Sequence, residues 1–196
     1  DREVVLRIGK TYILAQDSSS TSPIPTYNTP YGPDLPVPPQ YSHMAKAACL
    51  LLLHPHDNRI AVCSRRNSDI YGLPGGKMDP GETMAQTAVR ETHEEIGVLV
   101  DTANVERLFA DAIPGDRDFW VESFIAVSPT DQLQQMESDI TVQWTTWERF
   151  LQHNAFKEYN AGVYQAYQSW LACQNLGKTY TLNTTHLNSS SSTPCP

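Results

Sequence analysis

GLPGGKMDPGETMAQTAVRETHEEIGV, residues 72–98, sets a run rich in glycine and proline directly before a segment that crowds Glu91, Glu94 and Glu95 together. At about 100° per residue, Ala85, Ala88, Val89, Thr92 and Ile96 share one arc, so a helix from about Thr83 to Ile96 should press that arc onto a core. The three glutamates occupy the neighbouring arc at i, i+3 and i+4, a spacing that brings their carboxylates together. Like charges repel there, and the C-terminal end of a helix disfavours anions further. A divalent cation resolves the conflict, because clustered carboxylate oxygens suit Mg²⁺ or Mn²⁺, ions that keep some waters and bridge to substrate phosphates.

The residues in front of the helix fit the same purpose. Gly75 and Gly76 allow the backbone to approach a ligand or metal closely, and Pro74 and Pro80 stiffen the turn. Asp79 and Glu82 stand where acidic groups complement the positive end of a helix. Arg90 keeps its charge and can grip a carboxylate through two parallel hydrogen bonds, so it should orient the acidic cluster rather than touch substrate. Thr92 lies on the core-facing arc, where its hydroxyl should bond a backbone carbonyl.

From Gly76 the spacing runs through Glu82 to Arg90-Glu91-Thr92-His93-Glu94-Glu95-Ile96-Gly97-Val98. This resembles the Nudix box, the signature of the Nudix hydrolases, with every charged and glycine position filled. Thr92 departs from the family's preference for an aliphatic residue. The resemblance implies an α/β/α sandwich with a mixed β-sheet between helices. It implies a hydrolase in which Mg²⁺ or Mn²⁺ is held against a diphosphate while water attacks phosphorus. Glu91, Glu94 and Glu95 would be metal ligands, Glu91 would also serve as base, and the Gly76 carbonyl would complete the shell. Glu82 and Arg90 would form a supporting ion pair. Family members often add a carboxylate from a later loop ahead of a tryptophan strand, for which Glu137 is favoured here, with Asp139 in reserve before Trp144.

Outward from this stretch, residues 45–53 and 59–65 read as strands, followed after the helix by strands near 104–112, 119–127 and 140–145 and helices near 147–153 and 157–173. Mixed strands and helices point to an α/β or α+β fold. Tyr159, Val163, Tyr167, Trp170 and Leu171 form a core stripe on the last helix. Residues 1–16 alternate like a hairpin, and residues 17–42 hold seven of the fourteen prolines and read as an extended arm. That arm could hand the hairpin to a second copy in a homodimer. The expected organisation is a hairpin and arm over 1–42, the catalytic domain over 43–174 and a loose Ser/Thr-rich tail over 175–196.

Arg65 and Arg66 end a strand just before the glycine run, and with Lys77 they are candidates to bind substrate phosphates. His54 and His56 flank Pro55 in a turn and read as solvent-facing. Phe119, Trp120 and Trp144 could stack a base, although core packing is the commoner role. Cys49 and Cys63 sit in apolar runs as small buried groups, which fits a reducing, cytoplasmic setting. The NTT at 183 and NSS at 188 are triplets that arise by chance in such a tail.

A net charge of −8 argues against a nucleic-acid-coating protein, and no apolar run approaches the roughly 20 residues of a membrane span. The expected substrate is a nucleotide, foremost a nucleoside triphosphate or another compound linked through a nucleoside diphosphate. GLPGGK is closer to the triphosphate pyrophosphohydrolases of the family, whereas Pro114, sixteen residues after Val98, has the spacing of its ADP-ribose-cleaving subgroup. ADP-ribose or nucleotide-sugar cleavage, mRNA decapping and a non-catalytic binding module remain as alternatives.

Overall fold

β3 (Ala45–Leu53) carries AKAACLLLL, a run apolar on both faces, and this places it inside a sheet rather than at its edge. It pairs in parallel with β8 (Phe119–Val127), in register from Ala45 opposite Phe119 to Leu53 opposite Val127. A parallel partner needs a long crossover, and the 65 residues between them (54–118) supply it along with α1 (Met84–Ile96). The computed structural model describes residues 4–8, 11–15, 36–115 and 118–187, with side chains described from 36 to 115 and from 118 to 174.

β4 (Ile60–Arg65) pairs antiparallel with β9 (Ile140–Thr145) and with β5 (Tyr71–Gly72), and β7 (Glu106–Ile113) pairs antiparallel with β8. The seven-stranded sheet has the order β5-β4-β3-β8-β7, with β6 (Gly75–Lys77) joined to β3 and β9 to β4. Mixed strand directions and flanking helices make an α+β, three-layer architecture, as the sequence predicts. Two differences stand out. Residues 102–104 form a 3-10 turn and not the start of a strand, and the glycine run expected as loop contributes β6.

Each face of the sheet has its own core. Ala48, Leu50, Leu52, Ala61, Cys63 and Phe124 pack against Met84, Ala88, Val89 and Ile96 of α1. Leu51, Ile60, Val62, Val121 and Ile125 pack against Trp147 and Phe150 of α2 (Trp147–Gln152) and Tyr159, Val163 and Tyr167 of α3 (Lys157–Leu187). Burying each of the larger aliphatic and phenyl side chains stabilises the fold by roughly 1.5–3 kcal/mol, so the two layers of helices are fixed by the sheet's alternation.

α3 runs to Leu187, beyond the expected end near 173. No proline interrupts residues 174–187, and extending an existing helix costs far less than starting one. β1 (Val4–Ile8) and β2 (Thr11–Ala15) form the expected antiparallel hairpin. Most of the proline-rich arm, and with it any role in a homodimer, lies outside the described residues. No helix of the described residues is long and apolar enough to cross a membrane.

Candidate active site

α1 begins with a capping box: Thr83 accepts from the Gln86 backbone N–H, and the Gln86 side chain accepts from the Thr83 N–H. It ends at Gly97, whose φ of 70° lies in the left-handed region and suits glycine. These ends set the rotation of the helix. Thr87, Ala88, Val89, Thr92 and Ile96 turn inward, and the Thr92 hydroxyl donates to the Ala88 carbonyl at 2.7 Å.

Arg90 organises the outer arc. Its Nε donates to Glu82 Oε1 at 2.7 Å and one Nη to Glu82 Oε2 at 3.1 Å, the parallel grip expected of a guanidinium. The other Nη reaches Glu91 Oε1 and Glu94 Oε2, both at 2.9 Å, and the Lys77 carbonyl accepts a further bond at 3.1 Å. The guanidinium pulls the Glu82 carboxyl down to about 2. Glu82 and Arg90 are therefore an ion pair that ties the segment before the helix to its middle.

Glu95 sits deepest. Its Oε2 accepts from the Gly75 backbone N–H at 3.0 Å and from the Cys63 thiol at 3.6 Å. Burial pushes its carboxyl up to about 7, against the Gly75 bond, and the charges of Glu91 and Glu137 add to the rise. Burial also raises Glu91, opposed by Arg90. Burial likewise pushes the Cys63 thiol well up, in keeping with an inert cysteine.

β6 crosses directly over these carboxylates. A Cβ on Gly76 would stand 2.4 Å from Glu91 Oε1, and one on Gly75 would stand 2.4 Å from the Ala48 carbonyl. At Gly75 the neighbouring backbone leaves no room for a side chain, and at Gly76 a side chain would have to push the Glu91 carboxylate aside, so backbone and carboxylate come into contact. The loop at 131–139 closes the other end of the arc: Gln134 N–H donates to the Ile96 carbonyl and Met136 N–H to the Glu95 carbonyl. Glu137 is exposed on this loop, on the Glu95 side. Asp139 is paired with Arg65, so the carboxylate held in reserve already has a cationic partner. Arg66 is exposed beside it.

Among the described residues, no three His, Cys, Asp or Glu side chains are already gathered closely enough to hold a cation. Arg90 spans Glu91 and Glu94 instead. The donor chemistry nevertheless fits Mg²⁺ or Mn²⁺. Glu91 Oε2, Glu94 Oε1 and Glu95 Oε1 have no hydrogen-bond partner among the described residues, and all are hard oxygens.

On its other side β6 walls a cavity of about 490 Å³, a size typical of small-ligand sites. Gly75, Gly76 and Lys77 form the wall shared with the acidic arc, and Phe119, Ile113 and Phe156 make the cavity largely apolar. Lys77 Nζ lies 5.7 Å from the centre of the Phe119 ring. Phe119 is thus placed to meet a ligand. Trp120 is not, being buried and stacked on Tyr41 at 5.5 Å. Trp144 donates to the Asp131 carbonyl and pins the closing loop. His54 is buried, contrary to its expected exposure: it packs edge-on against Trp144 at 4.8 Å and bonds Arg59 and Asp57.

Tyr159, Asn160 and Phe156 were not legible as site residues. They come from the start of α3 and the residue just before it, some 80 residues from the glycine run, and only the sheet brings the two together.

The chain is thus an α/β/α sandwich in which a glycine strand separates a carboxylate arc from a largely apolar cavity. The chain belongs to the Nudix family: the NUDIX domain profile matches residues 43–167. Nudix hydrolase 3 of Caenorhabditis elegans is 37% identical over 73 residues, which are 37% of this chain and 27% of that protein. The 8-oxo-(d)GTP phosphatase of Mycolicibacterium smegmatis is 48% identical over 44 residues, 22% of this chain and 14% of that protein. These matches span well under two thirds of either relative. Among solved structures, the NUDIX domain of Shewanella oneidensis NrtR, complexed with ADP ribose, superposes with a TM-score of 0.54 at 19% identity, covering 68% of this chain and 93% of that one. A MutT NUDIX hydrolase from Burkholderia pseudomallei gives 0.54 at 18% identity, covering 63% and 98%. At these identities the likeness is one of fold.

Proposed function

We infer that the protein is a Mg²⁺- or Mn²⁺-dependent hydrolase that cleaves a phosphoanhydride bond in a nucleotide, foremost a nucleoside triphosphate. One observation carries this reading: β6 is the common wall of the acidic arc and the apolar cavity, and its glycines leave no side chain between them. A nucleoside in the cavity would lay its phosphate chain across Gly75–Lys77 toward Glu91, Glu94 and Glu95.

Glu91, Glu94 and Glu95, with Glu137 and the Gly76 carbonyl, are the groups that would hold the cation. When bound, it would neutralise phosphate charge and lower the pKa of water. Glu91 accepts a proton from the attacking water, the water oxygen bonds phosphorus, and the bond to the bridging oxygen breaks. The two phosphate products share the water's hydrogen and hydroxyl. Arg90 positions Glu91 and Glu94, while Lys77 offers positive charge to the phosphates; Arg65, paired with Asp139, and Arg66 do not line the cavity. Positioning and charge neutralisation are what phosphoryl transfer chiefly needs.

A second reading, a nucleotide joined to a further sugar or nucleoside, has its own support. A cavity of about 410 Å³ lies alongside and shares Ile113, Pro114, Phe156 and Tyr159 with the first. One panel separates the readings: triphosphates, ADP-ribose, nucleotide sugars, dinucleoside polyphosphates and capped RNA, each with Mg²⁺ and Mn²⁺. Cleavage at the anhydride of at least one free nucleotide is expected. Inertness toward the whole panel would leave a binding module as the better account.

A further inference from the structure

The polar groups of the 490 Å³ cavity have their donors and acceptors assigned by the protein itself. The Tyr159 hydroxyl donates to the Val121 carbonyl at 3.2 Å, because a carbonyl can only accept. The Ser123 hydroxyl, 2.7 Å away, therefore donates to Tyr159, and the Cys49 thiol, 3.0 Å from Ser123, donates to Ser123. Every donor in this chain points into the protein. Burial holds the Tyr159 hydroxyl protonated and pushes the Cys49 thiol up to about 11, so both keep their hydrogens at neutral pH.

A second relay runs through two asparagines. Asn154 Nδ2 donates to the Leu151 carbonyl at 3.0 Å, which leaves Asn154 Oδ1 as the acceptor. Asn160 must then present Nδ2 to it, at 3.0 Å. The amide of Asn160 cannot turn over without setting oxygen against oxygen. Its Oδ1 has no partner among the described residues, yet it is not one of the sealed, unbonded polar atoms. Asn160 is only 3% exposed, and the space it borders is the cavity. A buried carbonyl oxygen left open to an apolar cavity costs free energy until a donor meets it.

We propose that this cavity selects nucleobases bearing an exocyclic amino group, which donates to Asn160 Oδ1, and that Asn154 is the positioning residue that keeps Asn160 turned as an acceptor. The proposal rests on the hydrolase reading and adds to it which substrates the enzyme prefers. Lys77 at the mouth remains available to the phosphates, so the base end and the phosphate end are read by different groups.

The test compares kcat/KM, with Mg²⁺, for nucleotides that differ only in the amino group: ATP against purine riboside triphosphate, and GTP against ITP. The wild type is expected to favour the amino-bearing member of at least one pair by about tenfold or more. Asn160→Leu should bring that preference to within about twofold. Asn154→Leu should also erode it, and Asn154→Asp, which keeps the acceptor facing Asn160 Nδ2, should restore it. A merely structural role for Asn154 would change melting without changing the ratio within a pair. Equal use of both members of both pairs by the wild type would overturn the proposal while leaving the hydrolase standing. Failure to cleave any of the four would overturn the proposal together with the triphosphate reading beneath it.

Discussion

At Gly76 a single hydrogen atom stands where any other residue would press a Cβ into the Glu91 carboxylate, 2.4 Å from Oε1. Gly76→Ala must therefore displace Glu91 or lift β6 off the helix. Turnover should fall on the order of 100-fold, as when a positioned acid–base group is lost, while circular dichroism and melting show the sheet intact. Unchanged kcat with an intact fold would show that Glu91 need not sit where it does. The glutamates, Arg90 and Gly76 were legible because their spacing is local and helical. The partners of Glu95 were not. Gly75 and Cys63 stand 20 and 32 residues before it, and only strand pairing delivers them. His54 was misread for the same reason: a polar turn residue is covered here by Trp144 from β9.

Among the elements, α3 shows how packing overrides local preference. Gly162 weakens a helix by about 1 kcal/mol relative to alanine, so an exposed glycine there would invite replacement. Yet a Cβ at this position would lie 2.4 Å from Phe109 Cζ on β7. Overpacking costs roughly 1–3 kcal/mol, more than the propensity returns. Gly162→Ala should lower the melting temperature despite its better helix propensity; a rise would mean that Phe109 yields easily. The core stripe of α3 was visible in the sequence, since its period is that of a helix. Strand β6 was not, because two glycines and a lysine carry no strand signal, and their pairing with β3 follows from the close approach that only glycine allows.

For the molecule as a whole, the sandwich holds a buried acid, Glu95, whose carboxyl is raised from an ordinary 4.5 to about 7. A raised acid favours the folded state below its ordinary value, and that contribution is lost as pH climbs through the folded one. Without divalent ions, the wild type should therefore lose stability between about pH 4.5 and 7, and Glu95→Gln should flatten that part of the melting profile. Parallel profiles for the two proteins would show that Glu95 does not titrate in this range. The fold class was legible because apolar runs and helical periods are written locally. The cavity was not, because its walls come from β3, β6, β8 and the start of α3 and exist only once the sheet is assembled.

The central claim, that the carboxylate arc of α1 drives cation-dependent cleavage of a phosphoanhydride, meets its most direct test in one rate comparison. Hydrolysis of a nucleoside triphosphate by the wild type and by Glu94→Gln is followed with Mg²⁺ present and again with it chelated. The wild type should turn over only with the ion, and the variant should be slower on the order of 100-fold or more while melting like the wild type. Equal rates for the two proteins, or wild-type turnover that persists in chelator, would contradict it.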